Sequence, residues 1–199
     1  MGLDKSAIKE RSRRILDPAV TLLASMGVPP ILVSVLGLAG SFCAAYVIAR
    51  GSLFWGGVWA LAAGLCDVLD GSLARRLGRE TEFGAFIDST FDRVSEFVMY
   101  GAIVFHFAQA GYSSLLLAVV WVAMGGSFLV SYARARIEGL GHRCTVGLLE
   151  RPERLALLIA GLVLGHTVLV AALVVIAVGT VITVLQRIHH AYKATYRGT

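Results

Sequence analysis

Hydrophobic and polar positions divide the chain into long apolar runs separated by short polar breaks. The runs lie at 31–48, 53–69, 83–107, 115–132, 155–164 and 168–185. Most approach the roughly 20 residues that a helix needs to cross a bilayer; the fifth is short unless it extends through Gly165-His166. Gly27-Val28-Pro29-Pro30 and Arg50-Gly51-Ser52 are helix-breaking sequences between them. The pattern predicts six transmembrane helices. Residues 3–26 are patterned differently. Ile8, Ile15, Leu16, Val20 and Leu23 recur at helical spacing, while Lys5, Lys9, Arg11, Arg13 and Arg14 supply charge. This segment reads as an amphipathic helix lying in the interface, with a solvated basic tail as the alternative. The expected fold is an all-α integral membrane bundle. It forms a single membrane domain over 1–199, with a juxtamembrane helix at 3–26 and a six-helix core at 31–192. No internal repeat or low-complexity linker interrupts it.

Composition agrees with a membrane setting. Of 199 residues, 57% are hydrophobic, and the mean hydropathy is +0.75. Met1 to Arg14 carries charges throughout and lacks the apolar centre of a signal peptide. Cys43, Cys66 and Cys144 are scattered and read as free thiols.

Charge orients the helices. Every Lys and Arg except Arg50 and Arg93 falls in one of four segments: the N-terminal segment, the 75–83 loop, the 133–154 loop and the tail from Arg187. All four lie on one side if six spans place both termini in the cytoplasm, as the positive-inside rule requires. The net charge of +5 then reflects this bias and anionic lipid headgroups, and no nucleic-acid partner is expected.

Candidate chemistry concentrates between the second and third runs. Asp67, Asp70, Asp88 and Asp92 lie at or near the ends of apolar segments, on the cytoplasmic side. A charge at the bilayer centre costs roughly 2.5–3.5 kcal/mol on insertion scales, so such residues are rarely incidental. Asp67 and Asp70 share one helix face, which Gly71 and Ala74 continue. Gly84, Asp88 and Asp92 step by four along the next helix. Small residues let the two helices approach, so the four carboxylates can converge, and something positive must sit among them. An all-oxygen cluster suits Mg²⁺ or Mn²⁺, and four carboxylates can hold two ions. Gly71 and Gly84 leave room for close approach by a ligand. A divalent-cation transporter is the rival reading. It would need polar groups deeper in the bilayer than these lie.

The full pattern, D-x2-D-G-x2-A-R-x8-G-x3-D-x3-D, resembles the signature of the CDP-alcohol phosphotransferase family. That resemblance implies a membrane enzyme that transfers a substituted phosphate from a CDP-alcohol to a hydroxyl and releases CMP. It implies that Asp67, Asp70, Asp88 and Asp92 bind metal and that Asp92 is the general base. Ser34, Asp67, Gly71, Ala74, Arg75 and Gly84 would contact the CDP-donor. Arg75 either binds a phosphate or anchors the helix end. Family members often carry a Thr-Pro-Asn/Asp-x-x-Thr-like stretch before the first span. Here Pro29-Pro30-Ile31-Leu32-Val33-Ser34 leaves Ser34 to replace the Thr and puts no polar side chain at Ile31.

Ser131-Tyr132-Ala133-Arg134-Ala135-Arg136, Glu150-Arg151-Pro152-Glu153-Arg154 and Gln186-Arg187-Ile188-His189 resemble the phosphatidylinositol-phosphate synthase branch. By that resemblance Arg134, Arg151, Arg154 and Arg187 bind the acceptor phosphate. Otherwise they are ordinary positive-inside charges. The reaction expected joins CDP-diacylglycerol to inositol 1-phosphate. Glycerol 3-phosphate is the alternative acceptor, and an archaeal-type ether lipid or a soluble CDP-alcohol the alternative donor. Membrane lipids and a second copy of the chain are the expected partners. Arg93 is expected to serve as a buried counter-charge, to Glu96 at i+3.

Overall fold

Glycine and proline set the helix boundaries. The computed structural model describes residues 16–196. Its first helix, α1, spans Leu16–Ser25 and ends at Gly27, whose φ of +68° only glycine adopts freely. The expected amphipathic helix is thus helical over its described part, and residues 3–15 lie outside the described residues. Helix α2 (Pro30–Ala49) starts on a proline, which lacks the N–H that a first-turn residue would leave unpaired. Helix α3 (Leu53–Arg76) continues well past the end expected at residue 69. The Thr81 hydroxyl caps α4 (Glu82–Gln109), accepting from Gly84 N–H at 2.9 Å. Helix α5 (Ser114–Gly139) runs into the polar stretch expected to follow residue 132. Helix α6 (Arg151–Leu164) begins Arg-Pro and stops at Gly165, and α7 (His166–Tyr196) closes the chain.

The helices form a ring. In order around it, α2 packs on α3, α3 on α6, α6 on α7, α7 on α5, α5 on α4 and α4 back on α2. Ile48, Tyr100, Phe107, Leu162, Leu173 and Ile176 are among the side chains that fill its centre. A second small cluster of Val20, Val33 and Leu73 docks α1 against α2 and α3. An ion pair between Arg76 and Asp17, at 2.8 Å, ties the same elements together.

The outer surface is apolar. Leu36, Trp55, Trp59, Trp121, Val178 and Leu185 are exposed, which suits a lipid solvent and not water. Among the described residues, α2, α3, α5 and α7 are long and apolar enough to cross a membrane. The protein is a multi-pass membrane protein. Helix α4 has the length but carries Asp88, Asp92, Arg93 and Glu96 in its sequence. Helix α6 has 14 residues, about 21 Å at the helical rise, against a hydrocarbon core of roughly 30 Å.

Candidate active site

Helices α3 and α4 each deliver two carboxylates. Asp67 and Asp70 lie one turn apart on α3, and Asp88 and Asp92 one turn apart on α4. Carboxylate oxygens of Asp67, Asp70 and Asp88 all fall within 4.8 Å of one another. Three hard oxygen donors this close repel one another unless a cation balances them, so their chemistry and spacing fit Mg²⁺ or Mn²⁺. Ser34 on α2 donates to Asp70 Oδ2 at 2.5 Å. This fixes the carboxylate from the third side of the site. Ser34, Gly37 and Ser41 form a stripe of small residues on α2 that lines the inner cleft opposite Asp67, Asp88, Asp92 and Ser95.

The positive group that the carboxylates require comes from α6. Arg151 spans the gap, with Nη1 2.7 Å from Asp67 Oδ2 and Nη2 2.5 Å from Asp92 Oδ1. Its planar fork suits two acceptors at once. One turn further along both helices, Arg154 Nη2 meets Glu96 Oε1 at 2.8 Å, and both side chains are buried. Two charged rungs therefore link α4 to α6. Arg93 does not pair with Glu96 as expected. It donates to the Ser89 carbonyl and lies 3.7 Å from Asp92 Oδ2. The geometry explains the difference: Glu96 faces the ring interior, where Arg154 reaches it.

The other arginines differ in their freedom. Arg134 is exposed and bonds Glu138 Oε1 at 2.9 Å along the same helix. Arg187 is only 2% exposed. Its guanidinium donates to the carbonyls of Val130 and, at 3.0 Å, Val146, which pins the 140–150 segment to α5 and α7. Arg154 is committed to Glu96 and, at 3.4 Å, to the Leu149 carbonyl.

Two grooves open from the carboxylates. One, of about 470 Å³, lies between the starts of α2 and α4 and the end of α3. Ser34, Gly71, Ala74, Arg75 and Gly84 line it, with Asp70 and Asp88 at its inner end. Five of the six donor-binding residues expected from the resemblance thus share one groove, and the sixth, Asp67, lies in the adjoining cleft. Arg75 bonds Ser72 Oγ at 3.2 Å, so its guanidinium stays at the helix end beside Gly71. The second groove, of about 640 Å³, runs between α3 and α6. Leu61, Leu65, Val68, Leu155, Ile159 and Val163 make it apolar, while Asp67 and Arg151 stand at its polar end.

A helical ring with this carboxylate pattern has a match among known proteins. The family model for CDP-alcohol phosphatidyltransferase matches residues 17–186. The chain belongs to the CDP-alcohol phosphatidyltransferase family. It is therefore an enzyme of phosphatidyl transfer. It is 37% identical over 193 residues to a phosphatidylinositol phosphate synthase of Mycobacteroides abscessus, covering 91% of this chain and 85% of the relative. It is 36% identical over 185 residues to an archaetidylinositol phosphate synthase of Methanothermobacter thermautotrophicus, covering 91% and 90%. Among solved structures, it resembles the Mycobacterium tuberculosis phosphatidylinositol phosphate synthase with CDP-DAG bound. The TM-score is 0.83 at 32% identity, covering 90% of this chain and 94% of that one. The same enzyme in complex with manganese and citrate matches at a TM-score of 0.82 and 31% identity, covering 88% of each chain.

Sequence reasoning required a positive group among the carboxylates without naming Arg151 as that group. The Glu-Arg-Pro-Glu-Arg run puts its two arginines three apart, on one face of α6, but which helix that face meets is set by packing. Ser41 and Ser95 in the inner cleft were also missed. Only their helical spacing from Ser34 and Asp92 marks them.

Proposed function

We propose that this phosphatidyltransferase moves a phosphatidyl-type group from CDP-diacylglycerol to a hydroxyl of inositol 1-phosphate and releases CMP. The observation that carries this reading is the convergence of Asp67, Asp70, Asp88 and Asp92 beside Arg151, at the junction of a groove rimmed by charged residues and an apolar one. A CDP-lipid has a matching shape, with a nucleotide and two acyl chains on either side of a diphosphate. The groove with the charged rim would hold the cytidine end, and the apolar groove the tails.

Asp67, Asp70 and Asp88, joined by Asp92, would hold two Mg²⁺ or Mn²⁺ ions. Such ions neutralise a diphosphate and acidify a nearby hydroxyl. Asp92 accepts the acceptor's hydroxyl proton. The hydroxyl oxygen forms a bond to the phosphorus next to diacylglycerol, and that phosphorus loses its bridging oxygen to CMP. Positioning dominates such transfers, and Ser34 serves it by holding Asp70. Arg151, at the carboxylates, and the exposed Arg134 would bind the acceptor phosphate. Arg154 and Arg187 are held by Glu96 and by backbone carbonyls, and would serve the acceptor by fixing the surrounding helices. All six helices α2–α7 would cross the cytoplasmic membrane with both termini inside, so the site opens where CDP-activated substrates occur. The chain would act as a homodimer.

CMP release from CDP-diacylglycerol, measured with inositol 1-phosphate, glycerol 3-phosphate and free inositol, tests this reading. The rate should be highest with inositol 1-phosphate and near background with free inositol. Preference for glycerol 3-phosphate would reassign the acceptor. No CMP with any acceptor would overturn the donor assignment.

A further inference from the structure

Arg151 occupies an unusual position. It is bonded to two carboxylates of a cluster suited to cations, yet the function proposed above also gives it the acceptor phosphate. We propose that Arg151 is a displaceable counter-ion, which binding of the divalent cation releases from Asp67 and Asp92 to become a ligand of the acceptor anion. The proposal rests on the metal and acceptor roles assigned above, and adds to them a coupling between the two sites.

Three observations support it. First, Asp67, Asp70 and Asp88 cluster within 4.8 Å, while Asp92 is held at 2.5 Å by Arg151. The fourth carboxylate is thus tied to the guanidinium, and a cation that recruits Asp92 must compete with it. Second, both ion pairs are partly accessible, with Arg151 at 23%, Asp67 at 25% and Asp92 at 12% side-chain exposure. A cation or anion can therefore reach them. Third, the rung beneath is buried and bonded at both ends. Arg154 and Glu96 are buried and bonded to each other, and Arg154 also holds the Leu149 carbonyl. The start of α6 is fixed by that rung, so Arg151 can leave the carboxylates by rotating its own side chain. Electrostatics then sets the direction. Divalent cations at Asp67 and Asp92 repel a guanidinium between them, and a phosphate dianion attracts it.

Thermodynamic linkage makes the idea measurable, because a cation that frees the anion's ligand must be tightened by that anion to the same degree. Mn²⁺ binding to purified protein in detergent is followed by electron paramagnetic resonance, with inositol 1-phosphate as the anion probe. In the unaltered protein, saturating inositol 1-phosphate should tighten Mn²⁺ by about fivefold or more, the lower end of typical coupling. Arg151→Gln removes the competitor, so Mn²⁺ should bind about tenfold more tightly, as losing one charged hydrogen bond allows. The linkage to inositol 1-phosphate should vanish in the same variant. Arg151→Lys keeps a charge and should bind Mn²⁺ close to the unaltered protein. Weaker Mn²⁺ binding in Arg151→Gln would show that Arg151 only positions Asp67 and Asp92, and would overturn the proposal. So would unchanged Mn²⁺ affinity in the unaltered protein with inositol 1-phosphate, an arm that needs no variant to fold. Asp70→Asn separates the two levels. If it binds Mn²⁺ as tightly as the unaltered protein, the metal assignment itself fails, whatever Arg151 does.

Discussion

Individual residues at the site have short, directed contacts, so their removal has defined consequences. The Ser34 hydroxyl is the only group of α2 seen to bond Asp70 among the described residues. A hydrogen bond to a charged group contributes roughly 1.5–3 kcal/mol. Ser34→Ala should therefore lower the melting temperature by a few degrees and, at temperatures where the variant stays folded, lower kcat/KM by about tenfold or more, as thermal denaturation and turnover in detergent would show. Unchanged turnover would make Ser34 a passive lining residue. Arg134→Ala should raise the acceptor KM with little change in the donor KM, and a kinetic comparison of the two substrates checks it. The four aspartates were legible in the sequence because helical spacing places each pair on one face of its helix, whereas Ser34 was marked only by the family resemblance. The pairing of Arg151 and Arg154 was not legible. It depends on how α6, more than fifty residues away in the chain, is set against α4, and local periodicity contains no such information.

At the scale of elements, the buried Glu96–Arg154 rung couples two helices whose backbones do not pack closely. Removing one partner of a buried ion pair costs roughly 3–5 kcal/mol, whereas replacing both with apolar residues is often neutral. Arg154→Met alone should lower the melting temperature strongly. Combining it with Glu96→Leu should restore most of the loss, and thermal denaturation of the single and double variants tests this. Equal losses in both would mean that the pair is not the stabilising unit. The α6–α7 corner depends on Gly161, where a Cβ would come 2.8 Å from Leu169 Cα. Gly161→Ala has to shift backbone, and overpacking of this kind costs about 1–3 kcal/mol. The same assay should register it. Helix starts were easier to read than helix ends. Pro30, Pro152 and Thr81 mark starts by their own chemistry. The ends of α3 and α5 continue beyond the apolar runs, because a helix that leaves the bilayer stays helical through Arg75 and Arg136 until Gly78 and Gly141.

At the scale of the whole molecule, charge and apolarity act together. The exposed apolar surface requires lipid around the ring, and Arg151 and Arg154 stand where α3, α4 and α6 bring their charged groups together. The all-helical architecture was legible from the apolar runs. Among the described residues, length and hydropathy select α2, α3, α5 and α7; α4 carries charges and α6 is short, and both contribute residues to the site. The central claim is that the carboxylate cluster works through bound divalent cations. CMP release from CDP-diacylglycerol and inositol 1-phosphate should be measured on chelator-stripped protein, before and after Mn²⁺ or Mg²⁺ is restored, alongside Asp88→Asn. The account predicts background release in chelator, recovery with either ion, and no recovery in Asp88→Asn. Full CMP release in excess chelator would contradict it.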